Sequence, residues 1–359
     1  MSPILFWPLL VLPALSYAPN LAFYAAEAMG ANGYLAPFLA AAMALPGFLA
    51  IHLLARRFRG LTLVEQGVRI LGPYLGRVTG AIYLAFSLTL LTMFGRDLVD
   101  MALTNLIPST PLFMAVLILI SAEAYVASRG LETISRLASF VILPALLILL
   151  ALGLISLKNV AWSHLLPIAS PTALDYARGG YAVLFCYYLP GAAAMVLPFL
   201  RPLRSFPRLA GISLLLLAAF FALFTAGAIG VFGPEHVRDL AWPAFEYIQV
   251  IEYHYLLLEQ AGVLMVVSWL ALIFIGMPFL CFTIALGTSQ LTGVLDYKRF
   301  VWLVALAKVI LIMLPANSAQ TKEIVGHLAR YGWIVFFAYP AILWLTAITT
   351  GRKESADAA

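Results

Sequence analysis

Hydrophobic stretches long enough to cross a bilayer recur along the whole chain, separated by short polar or helix-breaking stretches. A membrane helix needs about 17–25 mostly apolar residues. On that rule, spans fall near 4–28, 34–55, 77–104, 112–128, 134–157, 180–200, 208–232, 262–291, 299–316 and 331–350. Breakers mark the joints at Gly30-Ala31-Asn32-Gly33, Pro108-Ser109-Thr110-Pro111, Gly130, 167–171, Pro202 to Pro207, Gly233-Pro234 and Gly293. Residues 317–330 read as the connection between the last two spans. The pattern predicts an all-α integral membrane protein with ten transmembrane helices, one polytopic domain over 1–350 and a disordered tail over 351–359.

Two spans carry proline at their middles. Pro13 and Pro19 flank Ser16-Tyr17 in the first, and Pro190-Gly191 follows Cys186-Tyr187-Tyr188 in the sixth. Proline has no N–H and clashes with the carbonyl four residues back, so the carbonyls of Leu9, Leu15 and Cys186 are expected to need other partners. Broken backbone at membrane depth persists only where protein buries it or a polar cavity meets it. Breaks at matching places in two chain halves point to a transporter-type substrate site. Ordinary kinking is the competing reading, as for Pro46 and Pro278, which show no such symmetry. Ten spans divided five plus five must lie in opposite orientations, so inverted repeats are expected over roughly 4–157 and 180–350. Pro144 and Pro340, mid-way along spans five and ten, fit the same symmetry.

Composition removes the soluble alternatives. Hydrophobic residues make up 64% of the 359 and charged residues 10%, with mean hydropathy +1.00, against roughly 45–50% and 25% in soluble domains. Arginine and lysine concentrate at 56–77, 129–136, 201–208, 298–299 and 352–353, outnumbering Lys158, Arg178, Arg238, Lys322 and Arg330 in the alternate connections. The positive-inside rule then puts both termini in the cytoplasm. The net charge of +5 needs no nucleic-acid partner, because these basic residues orient the chain and meet anionic lipid. The first span lacks a basic leader and a small-residue cleavage site and reads as retained. Cys186 and Cys281 both fall in apolar spans, which argues against a disulfide or zinc site. The five histidines lack metal spacing, and neither a nucleophile elbow nor a phosphate loop occurs, so no enzyme activity and no cofactor are expected.

Several motifs bring a family into view. Leu61-Thr62-Leu63-Val64-Glu65, Leu71-Gly72-Pro73-Tyr74-Leu75-Gly76-Arg77, Arg129-Gly130-Leu131-Glu132-Thr133-Ile134-Ser135-Arg136 and Gly230-Val231-Phe232-Gly233-Pro234-Glu235 leading to Trp242-Pro243 resemble the spore germination permeases. These are the B subunits of bacterial germinant receptors. The resemblance runs over essentially the whole chain and implies the amino acid, polyamine and organocation superfamily with a LeuT-like five-plus-five fold. It also implies a bacterial cell membrane or inner spore membrane, partner receptor subunits, and a small germinant such as an amino acid. The chain departs from the family at Leu15-Ser16-Tyr17-Ala18-Pro19, where relatives often have a small-residue pair. Tyr17 there reshapes the pocket, so ligand identity does not carry over.

A zwitterionic amino acid calls for amide donors at a half-helix N-terminus for its carboxylate and for carbonyls or hydroxyls around its ammonium. Ser16, Tyr17 and Asn20 in span one, with Tyr187, Tyr188 and Gly191 in span six, can supply them. Packed aromatics with hydroxyls satisfied elsewhere, and a glycine that only permits close helix approach, are the alternatives. Tyr83 and Ser87 share one face of span three and form either a pocket wall or plain packing. Glu123 in span four and Lys308 near the centre of span nine are intramembrane charges and hence candidates for coupling, or for a structural pair. Arg96 and Asp100 are one turn apart and suit an intrahelical ion pair. Thr283, Thr288 and Ser289 are weak candidates for sodium coupling, since such hydroxyls usually bond their own backbone. Residues 233–261 are expected outside, with a short helix opened by Pro243 that acts as a lid or lies at the interface.

Three readings follow: a germinant-sensing subunit that signals by conformational shift, a proton-coupled amino acid transporter, and an ion channel or scaffold subunit.

Overall fold

The computed structural model describes residues 1–15, 18–166, 172–250 and 261–352, with the side chain of Ala261 excepted. The described residues are mostly helical, without a strand. The first half contains α1 (Pro3–Leu15), α2 (Leu21–Met29), α3 (Ala36–Arg57), α4 (Leu63–Leu71), α5 (Pro73–Asn105), α6 (Leu112–Ser128) and α7 (Leu131–Ser156). The second contains α8 (Ala173–Val183), the single turn α9 (Tyr188–Gly191), α10 (Phe206–Phe232), α11 (Pro243–Gln249), α12 (Ala261–Thr292), α13 (Tyr297–Ile312), α14 (Ser318–Trp333) and α15 (Tyr339–Thr349). Among the described residues, six helical runs are long and apolar enough to cross a membrane: Leu21–Arg57, Pro73–Asn105, Leu131–Asn159, Leu203–Phe232, Gly262–Thr292 and Ser318–Thr349. α1 and α6 are shorter apolar helices. The protein is therefore an integral membrane protein. Its central helix is α12, which packs against α1, α5, α6, α7 and α13.

The first expected span is two half-helices. α1 stops at Leu15 and α2 starts at Leu21, with Pro19 between them. Because Pro19 cannot donate to the Leu15 carbonyl, that oxygen takes the Ala18 N–H at 3.1 Å and the Trp269 indole Nε1–H of α12 at 3.1 Å. The Pro19 carbonyl accepts from the Ala244 N–H of α11 at 3.2 Å. Neighbouring helices thus satisfy backbone that lipid cannot solvate.

The sixth expected span breaks earlier than Pro190 alone dictates. Regular α-helix ends at Val183, and the chain continues through the 3₁₀ turn Leu184–Tyr187, α9 and the 3₁₀ turn Ala192–Met195. Every residue from Val183 to Leu197 is buried. Among the other prolines, Pro144 leaves α7 continuous. Pro340 has no N–H for the Phe336 carbonyl, and the chain before it widens into a π turn at Ile334–Ala338 between α14 and α15.

The expected connection over 317–330 is instead helical. Asn317 caps α14 by accepting from the Gln320 N–H at 2.9 Å, and the Gln320 side chain accepts from the Ala316 N–H at 2.7 Å. Capping of this kind starts a helix in polar sequence that a hydropathy window passes over. α4 likewise opens with a capping box between Thr62 and Glu65. The proline-opened helix expected near 243 is α11, and it packs into the protein: Pro243, Ala244, Phe245, Tyr247 and Ile248 are buried, and the Tyr247 hydroxyl donates to the Gly153 carbonyl at 2.7 Å. Residues 251–260 of that segment and 353–359 of the expected tail lie outside the described residues.

Trp269→Phe keeps the ring but removes the donor to Leu15, leaving a buried carbonyl with one partner fewer. We expect a loss of about 1–3 kcal/mol, seen as a lower thermal unfolding midpoint of the detergent-purified protein, whereas Trp344→Phe on α15 is expected to leave it unchanged.

Candidate functional site

The break between α1 and α2 is where polar side chains from distant parts of the chain converge. Asn20, buried at the start of α2, donates its amide Nδ2–H to Asp97 Oδ2 of α5 at 2.5 Å. The Trp242 indole donates to the other oxygen, Oδ1, at 3.3 Å. Lys322 of α14 is the cation that faces this carboxylate. Its Nζ donates to the Ala241 carbonyl at 3.2 Å and sits 5.1 Å from the Phe23 ring centroid. The Asp97 charge is thus met by two neutral donors, with one cation beyond them. Asn20 Oδ1 is buried without a hydrogen-bond partner among the described residues. Two acceptors, the Asn20 carbonyl and the Asp97 carboxylate, therefore lie together beside broken backbone, an arrangement suited to an ammonium group.

Sequence reasoning selected Asn20 and passed over Asp97, Trp242 and Lys322 as site residues. Asp97 was hidden by its neighbours. Arg96 pairs with Asp100 through Nε at 2.8 Å, as the one-turn spacing predicts. The Arg96 guanidinium also donates to the carbonyls of Ile312 and Pro315 at 2.9 and 2.7 Å, tying α5 to the end of α13. Asp97 is the next residue on the helix, about 100° around, and faces the break instead.

Ser16 and Tyr17 lie outside the described residues. The aromatic candidates of the second break are fully buried and already bonded: Tyr187 donates to the Pro37 carbonyl at 2.9 Å and Tyr188 to the Ala329 carbonyl at 2.8 Å. Tyr188 stacks on Phe336 of the π turn, with centroids 5.7 Å apart and planes 14° from parallel. At Gly191 an added Cβ would make ordinary contact with Phe336 at 3.5 Å. Tyr83 packs edge-on to the same Phe336 at 5.5 Å, and the Ser87 hydroxyl returns to the Tyr83 carbonyl at 2.8 Å. Phe336 therefore gathers Tyr83, Tyr188 and Gly191 around one ring, apart from the Asn20–Asp97 contact. A small cavity of about 10 Å³, on the scale of one water, adjoins Leu15 and Ala18 of the first break and is walled by Phe220, Phe224 and Trp269.

The two intramembrane charges meet. Lys308 of α13 is ion-paired with Glu123 of α6, each side chain 1% exposed. Glu123 Oε1 has no hydrogen-bond partner among the described residues, and Cys281 of α12 lies beside the pair. A buried pair with one oxygen unsatisfied carries a large desolvation cost that the attraction between the charges must offset. The hydroxyls of Thr283, Thr288 and Ser289 donate at 2.8 Å to the carbonyls of Leu280, Ile284 and Leu286, each within α12. Both cysteines are free and buried.

The fold is that of a helical membrane protein with two interrupted helical segments. Over 96% of this chain and 84% of the other, it superposes on the Eremococcus coleocola manganese transporter, solved in complex with an aromatic bis-isothiourea substituted compound, with TM-score 0.58 and 18% identity. At that identity the likeness speaks for the fold alone. The sequence family described as "Spore germination protein" matches residues 19–321. The chain belongs to this spore germination protein family. Among relatives from Bacillus subtilis (strain 168), spore germination protein YndE is 21% identical over 328 residues, covering 90% of this chain and 89% of its own. Spore germination protein A2 is 22% identical over 307 residues, with 84% and 83% covered.

Removing one member of the Glu123–Lys308 pair strands the other in the membrane. Lys308→Met is expected to destabilise the protein by about 3–5 kcal/mol, and Glu123→Leu combined with Lys308→Met to recover most of that loss in the same thermal unfolding assay. An unchanged midpoint in Lys308→Met alone would contradict a stabilising role for the pair.

Proposed function

We propose that this chain is the permease-like subunit of a germinant receptor, binding a small amino acid at the break between α1 and α2 and signalling by a shift between conformations. The observation that carries the reading is the convergence of Asn20, Asp97, Trp242 and Lys322 on that break. An incoming ammonium replaces the Asn20 amide at Asp97 and takes up the unpartnered Asn20 Oδ1, while the carboxylate turns toward Lys322. Ser16 and Tyr17, next in sequence to this break, are further candidates for the site, whereas Tyr187, Tyr188 and Gly191, with Tyr83 and Ser87, belong to the aromatic packing of the second break apart from it. Because Trp242 and Ala244 hold both Asp97 and the Pro19 carbonyl, a ligand at Asp97 competes with the segment that closes the break. Such competition gives the ligand different affinities for the closed and open states, which a population shift requires.

In this reading the chain crosses the membrane ten times as two inverted sets of five, with both termini cytoplasmic, and works beside other receptor subunits. The membership in a spore germination family and the transporter fold support it. So does the meeting of α6 and α13, the fourth helices of the two sets, at Glu123 and Lys308. That buried pair also favours a second reading, proton-coupled amino acid transport, in which protonation of Glu123 releases Lys308. Channel or scaffold behaviour gains no observation of its own.

A panel of amino acids added to the purified protein is expected to raise its thermal midpoint with one or a few members, because a ligand that binds only the folded state stabilises it. Asp97→Asn is expected to weaken that binding on the order of 10–100-fold without loss of fold. Unaltered affinity in Asp97→Asn would sink the site assignment, and accumulation of the stabilising amino acid in proteoliposomes under a pH gradient would favour the transporter over the sensor.

A further inference from the structure

A cavity of about 770 Å³ opens between the end of α3, the loop after it and the 197–204 segment, on the face that the Lys and Arg distribution predicts to be cytoplasmic. Among the described residues its wall carries Arg56, Arg59, Arg201 and Arg204 and no acidic side chain. Arg56, Arg201 and Arg204 make no side-chain hydrogen bond or ion pair among the described residues, whereas nearby Arg57 is spent on the carbonyls of Ala347 and Arg352 at 2.9 and 2.7 Å. The loop's own acceptors are likewise taken, since the Gln66 amide donates to the carbonyls of Phe58 at 3.4 Å and Leu61 at 2.8 Å. His52 lines the same cavity, is 7% exposed, stacks on Phe206 and has no hydrogen-bond partner for Nδ1 among the described residues. A concave site with converging cations, an unpartnered buried imidazole nitrogen and apolar walls at Phe58 and Leu200 is built for a compact anion carried on, or beside, an apolar body.

From this arrangement we propose that the cavity binds a phosphate group, which bridges Arg56 of α3 to Arg201 and Arg204. Arginine suits the role, because its planar fork meets phosphate oxygens in pairs. The volume accommodates either the headgroup of an anionic phospholipid entering from the bilayer or a soluble phosphate compound entering from water. Either occupant clamps the second broken segment to α3. The site is separate from the Asn20–Asp97 break, and its failure leaves the reading of that break untouched.

The test uses the full chain in nanodiscs of phosphatidylcholine, with phosphatidylglycerol added to the bilayer in one arm and pyrophosphate added to the buffer in the other, and thermal unfolding as readout. The Arg56→Gln, Arg201→Gln, Arg204→Gln triple variant is compared with Arg77→Gln, which removes a basic residue of the same predicted face outside the cavity. The proposal expects stabilisation of the native chain in at least one arm and binding weakened roughly 100-fold in the triple variant, with Arg77→Gln unchanged. Stabilisation by phosphatidylglycerol alone assigns a lipid headgroup, and stabilisation by pyrophosphate in the phosphatidylcholine disc assigns a soluble phosphate. No stabilisation in either arm, retention of it in the triple variant, or an equal loss in Arg77→Gln overturns the proposal. The Arg56→Lys, Arg201→Lys, Arg204→Lys variant, which keeps charge but not the fork, separates lost charge from lost fold by retaining a partial shift.

Discussion

Inside a bilayer a backbone group without a partner has no water to turn to, and that constraint organises this molecule wherever proline interrupts a helix. At the first break the freed Leu15 carbonyl is met by an indole from α12, and the Pro19 carbonyl by an amide from α11. These are bonds between elements far apart in sequence, so the break is also a junction. α11 is drawn into the bundle by it, and Trp242, which precedes α11, arrives at Asp97 as a consequence. Lys322 reaches the same place because a cap at Asn317 starts α14 well before its apolar stretch.

The second break is organised differently. Its turns are wholly buried, and the tyrosine hydroxyls that its sequence offers are used to hold α3 and α14. The interrupted helix there rests on aromatic packing against Phe336, itself displaced by the π turn before Pro340. One break thus presents polar atoms with spare bonding capacity, and the other presents a sealed wall. That asymmetry is what a site needs if its ligand is to enter by competing for one set of contacts while the remainder holds its shape.

Much of this was legible in the chain itself. The apolar runs and their punctuation located the long apolar helices, because burial in lipid imposes a length and a composition that a single sequence displays, but they passed over α4 and most of α8. Pro19 announced the first break, whereas the second leaves regular α-helix at Val183, well ahead of Pro190. What escaped was contact between elements. Hydropathy gives the depth of Glu123 and Lys308 but not the direction each faces, so their pairing needed three dimensions. Asp97 was overlooked because its neighbours Arg96 and Asp100 offered a complete local account, and a local account says nothing of the adjacent face. The start of α14 was missed because caps, not apolar residues, begin it. The family resemblance, in contrast, rested on short motifs spread along the chain and agrees with the match over 19–321.

The central claim is that ligand binding and closure of the first break compete for Asp97. Its most direct test is a structure of the full chain in a lipid nanodisc, determined by electron cryomicroscopy with a stabilising amino acid present. The account predicts density for the ligand's ammonium between Asn20 and Asp97, with the Trp242 indole withdrawn from the carboxylate. Ligand density elsewhere, with the Asn20–Asp97 and Trp242–Asp97 contacts intact, would contradict it.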